Sequence, residues 1–392
     1  MTGFPIGSRD CEAGDYGLKI EGMTVHNYRN IADLEFTPCP GINVIYGNNA
    51  QGKTNLMEAI WLFTGNLSFR GAKTGELLRF GERQATLSLR FSDRDREQDA
   101  LLSFGEKKKI SLNHVALKTA GELNGNFFAV VFSPSHLSFI QDGPKFRRRF
   151  LDIAISEIRP QYKYYLNLYE KLIDQRNALL RSASSYPNLE EDIDVWDLPL
   201  AKAGTILSIY RGDYIRKISP LAKRIYDGLS CEKERFSVAY QSLVFDDINA
   251  VTAYDEASVS AYYKKLKESY LSDLRQGFTG VGIHRDDLDV KINDTPVRIY
   301  GSQGQQRSCV IALKLSEAML LKKATGENPV MILDDVMSEL DVSRQNYILN
   351  HLKEMQVFIT CCDISDTVKL QTGRMMKMEN GAFTGISDIG KE

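Results

Sequence analysis

A stretch near the start of the chain has the composition of a phosphate-binding loop. Its residues, Gly47-Asn48-Asn49-Ala50-Gln51-Gly52-Lys53-Thr54, match the pattern G-x-x-x-x-G-K-[ST]. Glycines let the backbone wrap closely around a polyphosphate, a lysine can reach the β and γ oxygens, and a hydroxyl can hold Mg²⁺. A glycine-rich turn ahead of a helix is the alternative. The position of the pattern between a predicted strand and a predicted helix favours a nucleoside triphosphate site.

A pair of acids, Asp334 and Asp335, follows the apolar predicted strand Val330–Leu333. In phosphate-loop proteins the first such acid supports the magnesium ion, and the next is the usual place for a base that orients the attacking water. Taken alone, the pair is equally typical of solvated acids in a turn. With a phosphate loop upstream, the sequence favours a metal-supporting role for Asp334 and a catalytic role for Asp335.

A third candidate is the segment Gly301-Ser302-Gln303-Gly304-Gln305-Gln306-Arg307, which opens a predicted helix. A serine and a glycine at a helix start offer a hydroxyl and unpaired N–H groups to an anion. An ordinary helix N-cap explains the same residues when they are taken alone. The specific feature is the order along the chain: phosphate loop, serine-led helix start, acid strand, and then Ser338-Glu339-Leu340-Asp341.

The motifs depend on elements that bring distant parts of the chain together. Alternating or continuous apolar runs predict strands near 18–25, 32–36, 42–46, within 85–132, and at 288–292, 297–300, 330–333 and 357–360. Helices are predicted over 56–63, 305–323 and 343–355. Residues 145–275 are typical of long helices, broken near Ser182–Pro187 and Gly228, with a β-like piece at 236–240. The Asn-Gly pair in MMKMENGAFT predicts a C-terminal hairpin.

The domain organisation follows from this alternation, since strand-rich ends bracket a helical middle. We predict a loosely ordered extension at residues 1–17 and a first half-domain at 18–144. A helical lobe at 145–275 and a second half-domain at 276–392 complete the prediction.

The composition is typical of a soluble globular protein, with 392 residues, 43% hydrophobic, and 49 Lys+Arg against 51 Asp+Glu. It excludes disordered, collagen-like and low-complexity chains. No run approaches the about 20 apolar residues that cross a bilayer, and no secretory signal is evident, so no membrane partner is expected. Six scattered cysteines without a CxxC pair indicate reduced thiols. A cytoplasmic location is therefore expected.

Strings spread over nearly the whole chain resemble the RecF family, within the ABC-type ATPases of DNA repair and chromosome maintenance. They follow the family's order from residue 18 almost to the end. The matching strings are HNYRNI (26–31), GNNAQGKTNLMEAI (47–60), VVFSP (130–134), GPKFRRRFLD (143–152), HRDDL (284–288), GSQGQQRS (301–308), ILDDVMSELD (332–341) and QVFIT (356–360). The residues at Asn48, Ser135-His136 and Ile283 depart from the usual family pattern, which indicates a divergent member.

The resemblance implies an α/β fold, an ABC-type ATPase head assembled from both chain ends with an inserted, mainly helical lobe. It implies ATP and Mg²⁺ as cofactors, with Thr54 and Asp334 at the metal. Arg29 with Asn30 matches a position that touches nucleotide in related heads. The residues implied around the triphosphate are Gly47, Asn48, Asn49, Ala50, Gln51, Gly52, Lys53 and Thr54.

Related heads dimerise around two ATP molecules, so the resemblance also implies a homodimer in the ATP-bound state. Ser302, Gln303, Gly304 and Gln305 would act in trans on the γ-phosphate of the partner's ATP. Asp341 would close the dimer seam. Asp335, Ser302 and Asp341 are accordingly the catalytic candidates.

For function, the resemblance implies ATP-dependent binding of double-stranded DNA, with preference for gapped or junction DNA. It implies help in loading a recombinase together with RecO-like and RecR-like accessory proteins. Asp335 stands where many ABC ATPases have Glu, and Thr360 lies near the place of their γ-phosphate-sensing His. The shorter side chain reaches water poorly, so we predict a weak ATPase that serves as a release switch.

Three other functions are alternatives to this one. A transporter subunit usually has its signature much nearer to the phosphate loop than Ser302 is to Lys53. A long coiled-coil tether is excluded, because a two-helix hairpin from the helical middle would extend at most about 100 Å and sustained heptads are absent, but a short-armed relative of such tethers stays open. A nucleotide-sensing scaffold without DNA binding agrees with the composition.

Weaker signals are open to plain structural readings. The basic stretch Lys145–Arg149 fits DNA phosphates and a solvated helix face equally well. Lys107–Lys109, and Lys264 with its neighbours Lys265 and Lys267, are typical of ordinary surface. The HRDD string at 284–287 has poor ligand spacing for a metal.

Overall fold

The structure, a computed structural model, describes residues 17–182, 189–363 and 372–389. The chain forms two compact units. The first combines the N-terminal part, up to His136, with the C-terminal part from Glu317 onward, and the second is Leu137–Ser316. Apart from Gly17, the predicted extension at 1–17 lies outside the described residues, as does most of the predicted break near 182–187.

The strands and helices are numbered along the described residues. The strands are β1 (Lys19–Tyr28), β2 (Ile31–Phe36), β3 (Ile42–Tyr46), β4 (Gln84–Ser92), β5 (Glu97–Gly105), β6 (Lys109–Leu112), β7 (Val115–Ala116), β8 (Ala129–Phe132), β9 (Phe236–Gln241), β10 (Asp287–Ile292), β11 (Thr295–Pro296), β12 (Val330–Asp334), β13 (Val357–Cys361), β14 (Gly373–Glu379) and β15 (Ala382–Ile389). The helices are α1 (Lys53–Trp61), α2 (Ser138–Gln141), α3 (Pro144–Ile158), α4 (Pro160–Arg181), α5 (Leu189–Ser230), α6 (Glu256–Gln276), α7 (Val297–Tyr300), α8 (Gln303–Thr325) and α9 (Val342–His351).

An antiparallel sheet in the first unit has the strand order β2-β1-β4-β5-β6-β7. Its strand β4 shows why the sequence forms it, because Leu87, Leu89 and Phe91 are fully buried while the residues between them are partly exposed. This period of two places one face of the strand in the core.

A mainly parallel sheet in the first unit has the order β15-β14-β3-β13-β12-β8. Every residue of β12 and β13 is buried, as expected for strands covered on both faces. The register pairs Asp334 with Thr360, and Cys361 with Tyr46. The carboxyl ends of β3, β12 and β13 therefore meet at one edge of the sheet.

The second unit contains α2–α7, the beginning of α8, and a small antiparallel sheet with the order β11-β10-β9. Its interior holds charged groups in ion pairs. Buried Arg176 contacts Asp197 and Asp273, each at 2.7 Å, and buried Arg211 contacts Asp152 at 2.8 Å. A buried charge is tolerated only with such partners.

The predicted α/β class is confirmed by these sheets and helices, but two of the predicted elements differ from the structure. Residues 297–300 form the one-turn helix α7 instead of a strand, since the N–H of Gly301 donates to the carbonyl of Val297 at 2.9 Å. The predicted break near Gly228 is confirmed, since α5 ends at Ser230. Helix α9 ends at His351, whereas the sequence predicted a helix that continues to residue 355. None of the described helices could span a membrane.

Candidate functional site

The predicted phosphate loop connects β3 to α1, and its two fixed glycines are required by its shape. Gly47 and Gly52 have φ angles of 150° and 110°. A Cβ atom at Gly47 would lie 2.3 Å from the carbonyl oxygen of Met378, and one at Gly52 would lie 2.7 Å from Oδ1 of Asn30. Only glycine fits at both positions.

The side chain of Lys53 folds back over this loop. Its Nζ donates to the carbonyl oxygens of Gly47 at 2.6 Å and Asn48 at 2.9 Å. Only 7% of the residue is exposed, and no carboxylate of the described residues forms an ion pair with it. The loop thus holds a positive charge without an internal counter-charge, as a site for anions requires.

Asp334 and Thr54 meet at the carboxyl edge of the parallel sheet. The Thr54 hydroxyl donates to Oδ1 of Asp334 at 3.0 Å, and the Thr360 hydroxyl donates to the same oxygen at 2.8 Å. Burial raises the pKa of Asp334 above its usual value, and the hydrogen bonds from Thr360 and Thr54 oppose that rise. The two predicted metal residues are therefore brought together.

Asp335 follows directly in a left-handed conformation, with a φ angle of 54°. Its backbone N–H donates to the hydroxyl oxygen of Thr360 at 2.9 Å. Thr360 therefore binds both acids at once, through its hydroxyl hydrogen and its hydroxyl oxygen. The sequence indicated this threonine only as a replacement for a histidine.

A cavity of about 350 Å³ in the first unit lies beside these groups, although Asp334, Gly47 and Asn48 are not among its lining residues. It includes most of the predicted loop residues together with Asn30, Asp335 and Thr360. The lining residues are Asn30, Asn49, Ala50, Gln51, Gly52, Lys53, Thr54, Asn55, Arg70, Asp335 and Thr360.

The residues present fit a triphosphate with Mg²⁺. Helix α1 begins without a side-chain cap at Gly52, so the N–H groups of its first turn suit an anion. Lys53 and Arg70 add two positive charges. Thr54 and Asp334 offer two oxygen ligands, and Mg²⁺ usually takes its other ligands from phosphates and water.

Two residues that sequence reasoning missed, Arg70 and Asn55, extend this wall of the cavity. Arg70 donates from Nη1 to Oδ1 of Asn55 at 2.8 Å, and Asn55 donates to Oδ1 of Asn30 at 2.8 Å. Asn30 in turn donates to the carbonyl oxygen of Ala50 at 3.3 Å. Nothing in the irregular stretch that contains Arg70 signalled its position.

Arg29, predicted together with Asn30, lies elsewhere. Its Nε and Nη2 atoms donate to the carboxylate of Glu58 at 2.9 and 3.0 Å. Glu58 lies on α1 and is fully buried, and it also accepts from Tyr28 at 3.0 Å and from Ser68. Arg29 is not among the residues that line the cavity, and it anchors α1 instead.

The serine-led segment lies in the second unit at the start of α8. The N–H of Gln305 donates to Oγ of Ser302 at 3.2 Å, and the N–H of Ser302 donates to Oε1 of Gln305 at 2.8 Å. Ser302 and Gln303 are exposed, and a Cβ at Gly304 would meet nothing within 4 Å. Within one chain Ser302 is a helix cap with an open surface beside it.

Asp341 caps the start of α9. Its Oδ1 accepts from the N–H of Arg344 at 3.0 Å, and its Oδ2 pairs with Nη1 of Arg344 at 2.8 Å. The hydrogen bond from that N–H holds the pKa of Asp341 below its ordinary value. The carboxylate is thus ionised and exposed.

The family follows from the sequence of the whole chain. The family model described as RecF/RecN/SMC N terminal domain matches residues 19–383. RecF of Ruminiclostridium cellulolyticum, named a DNA replication and repair protein, is 38% identical over 369 residues, which cover 93% of this chain and 96% of that protein. The chain belongs to the RecF family. RecF of Alkaliphilus oremlandii, which has the same name, is 40% identical over 367 residues, covering 93% and 97% of the two chains.

Solved structures agree with this RecF assignment. A structure described as the recombination mediator protein RecF-ATPrS in the RecFOR pathway matches with a TM-score of 0.87 and 33% identity, covering 94% of this chain and 98% of that one. The corresponding RecF-ATP structure has a TM-score of 0.86 and 34% identity, covering 97% and 100%. A Pyrococcus furiosus Smc head shares only the fold, at 14% identity and a TM-score of 0.54 over 95% and 96% of the chains. The predicted ABC-type ATPase head is confirmed.

The basic stretch of this RecF-family chain is partly internal. Arg147 is 4% exposed and donates to Asp287 at 2.5 and 2.9 Å. Arg148 donates to the carbonyl oxygen of Asp286 at 2.8 Å, whereas Lys145 is exposed. Arg147 therefore stabilises the second unit and is not on a solvated helix face.

The HRDD string of the RecF-family chain is part of a buried hydrogen-bond network. His284 contacts the hydroxyl of Tyr169 at 2.9 Å, and burial lowers the pKa of His284 to about 4. Asp286 accepts from Tyr240 at 2.5 Å and from the N–H of Leu243 at 2.9 Å. These contacts explain the string as packing of the second unit.

Proposed function

We propose that this chain is an ATP-dependent DNA-binding protein of recombinational repair and replication. In this proposal ATP drives a homodimer that binds double-stranded and gapped DNA and helps to load a recombinase, and slow hydrolysis releases it. One observation carries the proposal: in a RecF-family chain, the phosphate loop places the Thr54 hydroxyl 3.0 Å from the Asp334 carboxylate. The relatives whose structures carry the names RecF-ATP and RecF-ATPrS support the choice of nucleotide.

Within the proposed nucleotide site, Lys53 and the N–H groups of the loop bind the phosphates, with Asn30 fixing the loop at Ala50. Arg29 supports the site through Glu58. Thr54 and Asp334 hold Mg²⁺, which when bound neutralises charge on the phosphate oxygens. The residues proposed to bind the nucleotide are Asn30, Gly47, Asn48, Asn49, Ala50, Gln51, Gly52, Lys53 and Thr54, whereas Arg29 is proposed only to support α1.

Asp335 is the proposed base that orients the attacking water. The hydrogen bond from its backbone N–H to Thr360 fixes the position of its Cα atom. Its φ angle of 54° is uncommon for residues other than glycine. Because its side chain is one methylene shorter than glutamate, we expect slow turnover.

Ser302, Gln303, Gly304 and Gln305 are proposed to bind the γ-phosphate of the partner subunit's ATP. The open space at Gly304 and the exposure of Ser302 support a contact with a second molecule. Exposed Asp341 is proposed to close the seam. Since a nucleotide shared by two subunits stabilises their association, ATP binding favours the dimer and hydrolysis removes that link.

DNA and the accessory partners are proposed from the names of the relatives. RecF of two bacteria is named a DNA replication and repair protein, and the RecF-ATP structure is placed in the RecFOR pathway. We therefore propose RecO-like and RecR-like partners and a cytoplasmic location. The division into 18–144, 145–275 and 276–392 as domains also stays a proposal.

The molar mass in solution tests the shared nucleotide. With ATP and Mg²⁺ the native chain should be a dimer, and with ADP a monomer. Ser302→Arg should prevent the dimer, whereas Ser260→Arg, at an exposed serine of α6, should not. Lys53→Met should abolish nucleotide binding and the dimer together. A native chain that stays monomeric in every condition would overturn the trans mechanism.

Binding of gapped DNA tests the second half of the proposal. The ATP-bound dimer should bind DNA with an affinity that falls steeply and log-linearly with salt, because phosphate contacts release counterions. The affinity should be lost with ADP. An ATP-dependent dimer without any DNA affinity would favour a nucleotide-sensing scaffold instead.

A further inference from the structure

The turn between β14 and β15 lies against the phosphate loop, although more than three hundred residues separate the two in sequence. The N–H of Gly381 donates to the carbonyl oxygen of Gln51 at 2.9 Å. The N–H of Asn380 donates to Oε1 of the same glutamine at 2.5 Å. Both contacts use backbone donors of the turn, so they depend on its shape and not on its side chains.

The turn lies so close to the β1–β2 connection that there is no room for a side chain at Gly381. Gly381 has a φ angle of 81°, and a Cβ there would lie 2.6 Å from the carbonyl oxygen of Asn30. Asn30 itself holds the loop at Ala50. The turn is therefore wedged between the loop and the β1–β2 connection, and glycine is required at its tip.

Strand β14 also underlies both glycines of the loop. A Cβ at Gly47 would lie 2.3 Å from the carbonyl oxygen of Met378, and a Cβ at Gly52 would lie 3.1 Å from Cε of the same methionine. Met378 is fully buried. The pairing of β14 with β3, where Lys377 lies opposite Tyr46, fixes this placement just before the loop begins.

Gln51 has no assigned role in the sequence pattern, where it is one of the unspecified positions. In the structure its main-chain and side-chain oxygens both accept hydrogen bonds from the turn. The preceding residue, Ala50, has a left-handed conformation with a φ angle of 64°. The strained centre of the loop is thus held from outside, by Asn30 on one side and by the turn on the other. Such strain persists only where its surroundings determine it.

We propose that the β14–β15 turn is a positioning element of the nucleotide site, with Gly381 as its positioning residue. It holds the phosphate loop in the shape that binds a triphosphate, so nucleotide affinity depends on the turn. By thermodynamic reciprocity, bound nucleotide must in turn stabilise the hydrogen bonds between the turn and Gln51. This inference rests on the proposed nucleotide site and adds a coupled C-terminal element to it.

Two alanine variants separate contact from backbone strain. Gly381→Ala introduces a Cβ at a φ angle of 81° against Asn30, whereas Gly326→Ala introduces one at a φ angle of 82° with nothing within 4 Å. Both carry the same left-handed strain. We expect the affinity for ATP with Mg²⁺ to fall about tenfold or more in Gly381→Ala, because its Cβ must displace the turn from the loop, and to stay within about twofold in Gly326→Ala. Gly381→Ala should also unfold at a lower temperature than Gly326→Ala, because its Cβ would lie 2.6 Å from a backbone oxygen, so both affinities are measured well below the lower midpoint.

Hydrogen exchange of the native chain tests the same coupling without any substitution. ATP with Mg²⁺ should slow exchange of the Asn380 and Gly381 amides, which donate to Gln51. The amides of the Asn113-His114 turn, which connects β6 to β7 with φ angles of 50° and 65° and donates from Asn113 to the carbonyl of Asp99, should be unaffected. A turn with a purely structural role would exchange at the same rate with and without nucleotide.

The outcomes distinguish this inference from the proposed function. If the native chain binds no ATP, the proposed function fails. If the native chain binds ATP but Gly381→Ala and Gly326→Ala bind it equally, or if exchange at Gly381 ignores the nucleotide, only the positioning role of the turn is overturned.

Discussion

The hydroxyl of Thr360 donates to Oδ1 of Asp334 at 2.8 Å while its oxygen accepts the N–H of Asp335 at 2.9 Å. One side chain on β13 therefore orients both the proposed metal ligand, which is the last residue of β12, and the proposed base, which follows it. A valine at this position would keep the shape but lose both bonds.

Thr360→Val should shift the pH dependence of Mg²⁺-dependent ATP binding. Thr360 opposes the rise that burial causes in the pKa of Asp334, so its loss raises that pKa further. Because Mg²⁺ requires the carboxylate, affinity is present at high pH and is lost as the pH falls through the pKa of Asp334. Titrations with a fluorescent ATP analogue between about pH 5 and about pH 8 should show this loss at a higher pH in the variant. Thr360→Ser should behave as the native chain, and identical profiles for all three would contradict the argument.

Asp334→Asn should weaken the binding of ATP with Mg²⁺ but raise the stability of the nucleotide-free chain. The pKa of this carboxyl is raised by folding, so its contribution to stability is present at low pH and is lost as the pH rises through that raised pKa. Without nucleotide, the variant should unfold at a higher temperature than the native chain near neutral pH, with a smaller difference in acid. With ATP and Mg²⁺ at about one hundred times Kd, the native chain should gain about 2.7 kcal/mol and the variant far less. A variant that is less stable than the native chain without nucleotide would refute this reasoning.

Arg29→Ala should lower the free energy of unfolding by about 3–5 kcal/mol, because it leaves the buried Glu58 carboxylate without its counter-charge. The exposed pair of Arg83 and Glu106 provides the control, and Arg83→Ala should cost at most about 1 kcal/mol. Urea unfolding of both variants measures the difference. An Arg29→Ala variant of native stability with weakened ATP binding would instead support direct contact of Arg29 with the nucleotide.

The parts of the site that could be predicted from sequence are those with a local pattern. The phosphate loop has fixed spacing, and Asp334 ends a continuous apolar run, so both could be placed at the edge of a parallel sheet. The roles of Arg70 and Asn55 depend on an irregular segment without periodicity. Gly381 was predictable as part of a turn, but its contact with the loop depends on the pairing of β14 with β3, which no local pattern contains.

The same limit explains the errors in the fold. Residues 297–300 alternate like a strand, yet their backbone closes one helical turn onto Gly301, because a single bond between near neighbours outweighs a short alternation. Arg147 belongs to a run of basic residues, for which the sequence predicted an exposed position facing either DNA or solvent. Only the tertiary structure shows that Asp287, far along the chain, is its partner.

Arg70→Gln should weaken ATP binding about tenfold, since a charged hydrogen-bond donor facing a phosphate contributes about 1.5–3 kcal/mol. Arg70 lines the cavity, and its charge opposes the rise that burial causes in the pKa of Asp334, so its loss weakens both the phosphate side and the metal side of the site. Arg79→Gln, at an exposed arginine that does not line the cavity, should leave the affinity unchanged. Because the effect is electrostatic, the difference between the two variants should shrink as the salt concentration rises. Equal affinities at low salt would show that Arg70 faces solvent and not the nucleotide.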